Sequence, residues 1–182
     1  MAAEQLAMPV HVTISPMRRR HLRTVLRIEA QVYPRPWSLG LFMSELALKT
    51  TRVYFVAKVA NQVVGYAGLM ITGSDGHVTT IAVDPEWQRQ RIGTRLLLAL
   101  TNAAVDAGCT GLTLEVRVTN VGAQAMYREF GFAPAGIRKN YYTETNEDAI
   151  VMWAHDIDLD AHRTRIDAIA ERLSDTTTWE QA

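Results

Sequence analysis

The segment Asp84-Pro85-Glu86-Trp87-Gln88-Arg89-Gln90-Arg91-Ile92-Gly93-Thr94 gathers a turn, two arginines and a glycine at the start of an apolar periodic run. At a helix N-terminus the backbone N–H groups point outward without partners and the positive end of the helix dipole adds to them. A pyrophosphate could seat there with little rearrangement. An ordinary charged helix start has the same composition, so residue types alone leave both readings open. Neither a nucleotide-hydrolase phosphate loop nor a dinucleotide fingerprint occurs anywhere in the chain. Other chemistry is poorly supported. Cys109, the one cysteine, has no partner for a disulfide and no second thiolate for zinc. His155-Asp156-Ile157-Asp158-Leu159-Asp160 imitates a calcium loop, but Ala161 and Asp167 stand where glycine and glutamate are required. Arg18-Arg19-Arg20-His21-Leu22-Arg23 is basic but opens a helix, where charges on a solvated face are commonplace.

The elements that must carry these residues follow from periodicity. Val12 to Ser15 reads as a strand, Met17 to Val32 as a helix, and Ser38 as the N-cap of a second helix through Lys49. Val53 to Val59, Val63 to Ile71 and His77 to Val83 form three β-rich runs broken by turn residues, the pattern of an antiparallel meander. A long helix from Gly93 to Ala107 is closed by Gly108. Leu112 to Val118 returns as a strand, and Asn120 caps a shorter helix ending at Gly131. Strands near Phe132 to Arg138 and Ala149 to Ala154 flank a polar loop from Asn140 to Asp148. Residues 158–173 make one more amphipathic helix, and the last nine residues look frayed. The sequence thus predicts a mixed α/β fold with one domain over residues 1–157 and a C-terminal helical extension over 158–182.

At 182 residues and 48% hydrophobic content, the chain has the composition of a single-core domain. The longest apolar run, Val63 to Ile71, has nine residues and two glycines, too few for a membrane span. Met1 to Val10 has no basic start and no export-length apolar stretch, and Met8 could itself be the start, so a cytoplasmic location is expected. The formal net charge is +0, but residues 1–143 carry 16 Lys+Arg against 9 Asp+Glu, and residues 144–182 carry 3 against 10. A basic body attracts a small phosphorylated cofactor, while the acidic end disfavours nucleic acid.

Two motifs resemble one family. Ile81-Ala82-Val83-Asp84-Pro85 followed by Gln88-Arg89-Gln90-Arg91-Ile92-Gly93 is similar to the acetyl-CoA-binding motif of the GNAT acetyltransferases, Gln/Arg-x-x-Gly-x-Gly/Ala. Asn120-x-x-Ala123-x-x-x-Tyr127-x-x-x-Gly131-Phe132 resembles the family's later motif. Leu114-Glu115-Val116-Arg117 and Arg138-Lys139-Asn140-Tyr141-Tyr142 resemble its RimI-like branch, which acetylates protein N-termini, notably the alanine that begins a ribosomal protein. The resemblance runs from Val12 to Asp156. It implies the GNAT fold, a mostly antiparallel sheet with splayed central strands and about four helices. It also implies acetyl-CoA as co-substrate, with Ile81, Ala82, Val83, Arg89, Gln90, Arg91, Ile92, Gly93, Thr94 and Asn120 at the cofactor. Arg91 departs from the pattern by standing at the first motif glycine. A side chain there could push the pyrophosphate away, or its planar fork of donors could grip it.

Acyl transfer from a thioester needs an uncharged amine, a donor for the developing oxyanion and a proton for the departing thiolate. The resemblance gives Glu115 the role of general base, and burial on a central strand would raise its pKa usefully. The alternative is a buried partner for Arg117, on the same strand face, or for another cation. Tyr127, two turns into its helix, would be the general acid; a core aromatic beside Phe130 is the alternative. Asn120 serves pantetheine or caps its helix, or both. The backbone of Ile81 and Val83 would bind pantetheine as an added strand. Cys109, beside Gly108 with no nearby histidine in sequence, reads as a packing residue, so direct transfer in a ternary complex is expected. Tyr33, Pro36, Tyr141 and Tyr142 lie in the two loops that the branch uses to bracket an incoming peptide. At pH 7 roughly a tenth of an α-amino group is neutral, against well under a thousandth of a lysine, which favours N-termini as acceptors. A small amine is the second acceptor class, and a catalytically weak acetyl-CoA-binding module the third reading. No metal and no membrane or nucleic-acid partner is expected, and a monomer is favoured.

Overall fold

The computed structural model describes residues 10–180; the Met1–Pro9 stretch, read above as free of an export signal, lies outside the described residues. The elements are β1 (Val12–Pro16), α1 (Leu22–Val32), α2 (Leu39–Ala47), β2 (Arg52–Val59), β3 (Gln62–Thr72), β4 (Asp75–Val83), α3 (Ile92–Asp106), β5 (Gly111–Arg117), α4 (Val121–Glu129), β6 (Ala133–Tyr142), β7 (Glu147–His155), α5 (Asp160–Glu171) and β8 (Thr177–Trp179). All eight strands form one sheet in the order β6-β7-β5-β4-β3-β2-β1-β8. The expected meander is β2-β3-β4, antiparallel throughout. The apolar stripes of α1 and α2 (Leu22, Val25, Ile28, Phe42) pack on one sheet face with Val56 and Tyr66. The other face is covered by α3, α4 and α5 through Leu96, Leu97, Leu100, Phe130, Ile166 and Ile169. Among the described residues no helix is long and apolar enough to cross a membrane.

The feature that makes a site possible is a split between β4 and β5. They pair in parallel only at Asp75↔Gly111, Gly76↔Leu112 and His77↔Thr113. Two residues beyond His77 the register of β4 against β3 slips: Gly68 faces Thr80 while Leu69 faces Val78, leaving Thr79 as an extra residue. A bulge bends its strand and adds twist, which carries the rest of β4 away from β5. Gly68 is required at this point, because a Cβ there would lie 2.3 Å from the ring of Tyr54 and 2.8 Å from Thr79 Oγ1. Each strand stays paired on its outer side, β4 to β3 and β5 to β7, so the two inner edges open into a crevice.

Three expectations change. The first helix starts at Leu22 rather than Met17, after a short 3-10 turn over Arg19–His21, because the Met17 N–H donates to the Tyr54 carbonyl and so extends the β1–β2 pairing. The polar loop Asn140 to Asp148 is mostly strand. β6 runs to Tyr142 across a wide bulge, and the Asp148 carboxylate bridges that bulge by accepting from Asn140 N at 2.7 Å and Lys139 Nζ at 2.9 Å. The end of the chain is not frayed as far as Glu180. Thr177–Trp179 adds to the sheet as β8, parallel to β1, and Glu180 N donates to Ile14 O.

Candidate active site

On one side of the crevice lies a cavity of about 340 Å³ lined by both open strand edges, Val78–Ile81 and Leu114–Arg117, together with Tyr33, Trp37, His77, Tyr141, Tyr142 and Tyr127. Its walls are fixed by polar ties. Tyr33 Oη donates to the Ile81 carbonyl at 2.8 Å, pinning the α1–α2 loop to β4. Glu29, buried in α1, accepts from Trp37 N at 2.9 Å and from the Tyr66 hydroxyl, and burial raises its pKa. Across the cavity the β6 bulge presents Tyr141 and Tyr142 edge to face, with ring centroids 5.1 Å apart. Arg117 sits 3.8 Å over the Tyr142 ring and pairs with Glu144 and Glu147. Tyr33, Tyr141 and Tyr142 therefore line this space. Pro36 does not; its neighbours Pro34, Arg35 and Trp37 do.

Glu115 points into the same cavity, but its electrostatics reverse the expectation from sequence. Its Oε2 lies 3.2 Å from His77 Nε2 and its Oε1 3.0 Å from Arg138 Nη1. The hydrogen bond from His77 is the largest influence, burial opposes it, and the charges of His77 and Arg138 add to it, so the carboxyl pKa is lowered rather than raised. The cation that Glu115 pairs with is not Arg117, although strand alternation does place both side chains on this cavity. His77 had no motif to mark it. It reaches Glu115 only because β4 and β5 pair in parallel where it stands, a contact between distant segments.

The second cavity, of about 460 Å³, lies beyond the first and is lined by Ile81, Ala82, Val83, Arg89, Arg91, Ile92, Gly93, Thr94 and Asn120, with Val32, Trp87, Gln88, Gly122, Ala123, Met126 and Tyr127. Ile81, Asn120 and Tyr127 line both cavities. Asn120 caps α4, its side-chain oxygen accepting from Ala123 N at 3.1 Å, which leaves its amide NH2 as a donor at the junction. Tyr127, 5% exposed, packs in the main core 5.9 Å from the Phe132 ring. Burial pushes its phenol pKa up, so the hydroxyl stays protonated. The two readings of this tyrosine are thus compatible: its ring belongs to the core and its residue to the junction.

The second cavity suits an elongated anion. The N-terminus of α3 opens onto it, two arginines line it, and an unpaired strand edge runs along it. Arg91 adopts φ 57° and ψ 24°, the left-handed conformation that glycine takes most readily, and Arg89 has φ 66°. The turn therefore keeps the backbone a glycine motif would specify, with a guanidinium attached. Of the ten residues that the resemblance assigns to the cofactor, Gln90 alone does not line the cavity; its side-chain oxygen is buried without a partner.

The family model for the GNAT acetyltransferases matches residues 22–132. The chain is 34% identical over 142 residues to the ribosomal protein bS18-alanine N-acetyltransferase of Escherichia coli K12, across 77% of this chain and 95% of that protein. It is 36% identical over 148 residues to the N-alpha-acetyltransferase RimI of Mycobacterium tuberculosis, across 78% of this chain and 90% of that one. The crystal structure of the ribosomal-protein-S18-alanine N-acetyltransferase from Escherichia coli superposes with a TM-score of 0.73 at 33% identity, covering 80% of this chain and 94% of the other. A split sheet, a glycine-type turn at the start of α3 and relatives of this identity and coverage agree: the chain is an N-acetyltransferase and belongs to the GNAT family, in its RimI-like branch.

Proposed function

We propose that the protein acetylates the N-terminal α-amino group of a protein, in the manner of the bS18-alanine N-acetyltransferases it resembles, by direct transfer within a ternary complex. The observation that carries this is the meeting of two cavities at Tyr127, one fitted to a phosphorylated carrier and one a slot framed by three tyrosines and a carboxylate. Acetyl-CoA supplies an activated acyl group; Arg89, Arg91 and the first turn of α3 hold its phosphates, and Asn120 with the edge of β4 holds its pantetheine arm. The Ile81 carbonyl already accepts from Tyr33, which leaves N–H donors and the remaining carbonyls for that arm.

Glu115, with its lowered pKa, is a weak base toward a free ammonium. An α-amino group is already neutral to roughly a tenth at pH 7, however, and its nitrogen becomes far more acidic as it bonds to carbon. Glu115 then accepts that proton, directly or through water, and Tyr127 gives its phenolic proton to the departing sulfur. The slot favours an extended peptide entering amine first over a compact free amine. A ribosomal-protein acceptor places this activity in the cytoplasm.

The test is acetylation of an alanine-initiated peptide by the purified protein, with an N-terminally blocked lysine peptide and a polyamine as competing acceptors. The free α-amine reacts, and Glu115→Gln and Tyr127→Phe each lower kcat about 10²-fold or more with folding intact. Preference for the polyamine would move the acceptor to the small-molecule class, and full rates in both variants would remove the proposed proton path.

A further inference from the structure

Arg95 lies in the first turn of α3 and is 4% exposed, yet none of its hydrogen-bond partners is an anion. Its Nε donates to Thr177 Oγ1 at 2.8 Å, Nη2 to Thr176 Oγ1 at 2.7 Å and Nη1 to the Gln90 carbonyl at 2.8 Å. Among the described residues no carboxylate pairs with it. Burying a cation against neutral oxygens alone is expensive, so the arrangement calls for a counter-charge or a positional role.

The third bond supplies the positional role. A trans peptide holds its C=O and the following N–H on opposite sides. With the Gln90 carbonyl drawn onto Arg95, which does not line the second cavity, the N–H of Arg91 is turned the other way, toward the cavity that Arg91 does line. The guanidinium also polarises that peptide and strengthens its donor. The same guanidinium is held on its far side by the turn just before β8, where Thr177 Oγ1 donates on to the Leu173 carbonyl at 2.7 Å. The matched family segment ends at residue 132, well before this turn.

We propose that Arg95 is a positioning residue for the phosphates of the acyl carrier, and that the Thr176–Thr177 turn thereby belongs to the carrier-binding site. This rests on the reading of the second cavity as the acetyl-CoA site. Occupancy of that cavity and docking of the C-terminal strand are then coupled reciprocally.

Calorimetric titration of coenzyme A into the full chain tests it. Arg95→Met weakens Kd at least fivefold, the double variant Thr176→Val/Thr177→Val at least threefold, and Arg95→Lys recovers part of the loss. The KM for the acceptor peptide and kcat at saturating acetyl-CoA stay unchanged. Leu22→Ala, which destabilises the core on the other sheet face without touching Arg95 or the C-terminal segment, leaves Kd unchanged. In wild type, coenzyme A slows amide exchange at Thr177–Glu180, and Arg95→Met abolishes that slowing. Wild-type affinity in a folded Arg95→Met, or in the double threonine variant should Arg95→Met not fold, overturns the proposal. Failure of the wild type itself to bind coenzyme A would instead remove the reading of the cavity.

Discussion

Glu115 has both carboxylate oxygens engaged before any acceptor arrives, and this sets the pH behaviour of the site. Because its pKa is depressed by the His77 hydrogen bond first and the nearby positive charges next, the carboxylate stays charged as pH falls below the usual glutamate range. His77→Ala removes the largest stabilising contact and lets that pKa rise. The acidic limb of the kcat/KM profile then moves to higher pH, as a pH-rate series on the alanine-initiated peptide would read; an unmoved limb would mean that another group sets it. Arg91 raises a separate question of conformation. A non-glycine residue in the left-handed region costs about 1–2 kcal/mol, while glycine gives back about 0.5–1 kcal/mol through its looser unfolded chain. Arg91→Gly should therefore raise stability by up to about 1.5 kcal/mol, measured by denaturant unfolding. A loss of coenzyme A affinity in the same variant would show that the guanidinium itself grips the carrier.

At the level of elements, the site depends on β4 leaving β5 after three residue pairs, and Gly68 makes the necessary room. Gly68→Ala forces the Tyr54 ring to move, although its hydroxyl is tied to Glu45 Oε2 at 2.8 Å. Overpacking of this kind costs about 1–3 kcal/mol, and the variant should also lose coenzyme A affinity, because the bulge that aims the β4 edge shares the contact. Calorimetry alongside denaturation checks both. The meander, the caps at Ser38 and Asn120 and the long helix were all legible in sequence, since each is written in local periodicity or a single side chain. The bulge at Thr79 was not, because it is a register relation between two strands. Nor was the His77–Glu115 pair, which exists only once β4 and β5 run parallel. Strand β8 escaped for the same reason: Thr177-Thr178-Trp179 is too short to show a period, and its partner β1 lies at the other end of the chain.

For the whole molecule, the acidic C-terminal segment is read in sequence as an extension, and the structure packs it into the main core. Ile157, Ile166, Ile169 and Leu173 are buried in the same cluster as α3 and β5. Outside that cluster, Arg95 and β8 tie the segment to the start of α3 and to the sheet edge, and Lys58 pairs with Glu180. Such a segment should have no independent transition, because its helix has no second apolar surface on which to fold alone. Ile169→Ala opens a cavity in the shared core and should lower stability by about 2–5 kcal/mol. The midpoints read by far-UV circular dichroism and by tryptophan fluorescence should shift together, since Trp153 and Trp179 report from strands in opposite halves of one cooperative sheet. A shift confined to one probe would instead divide the chain near residue 158, and the contact between Arg95 and the last strand would then join two separately folding units.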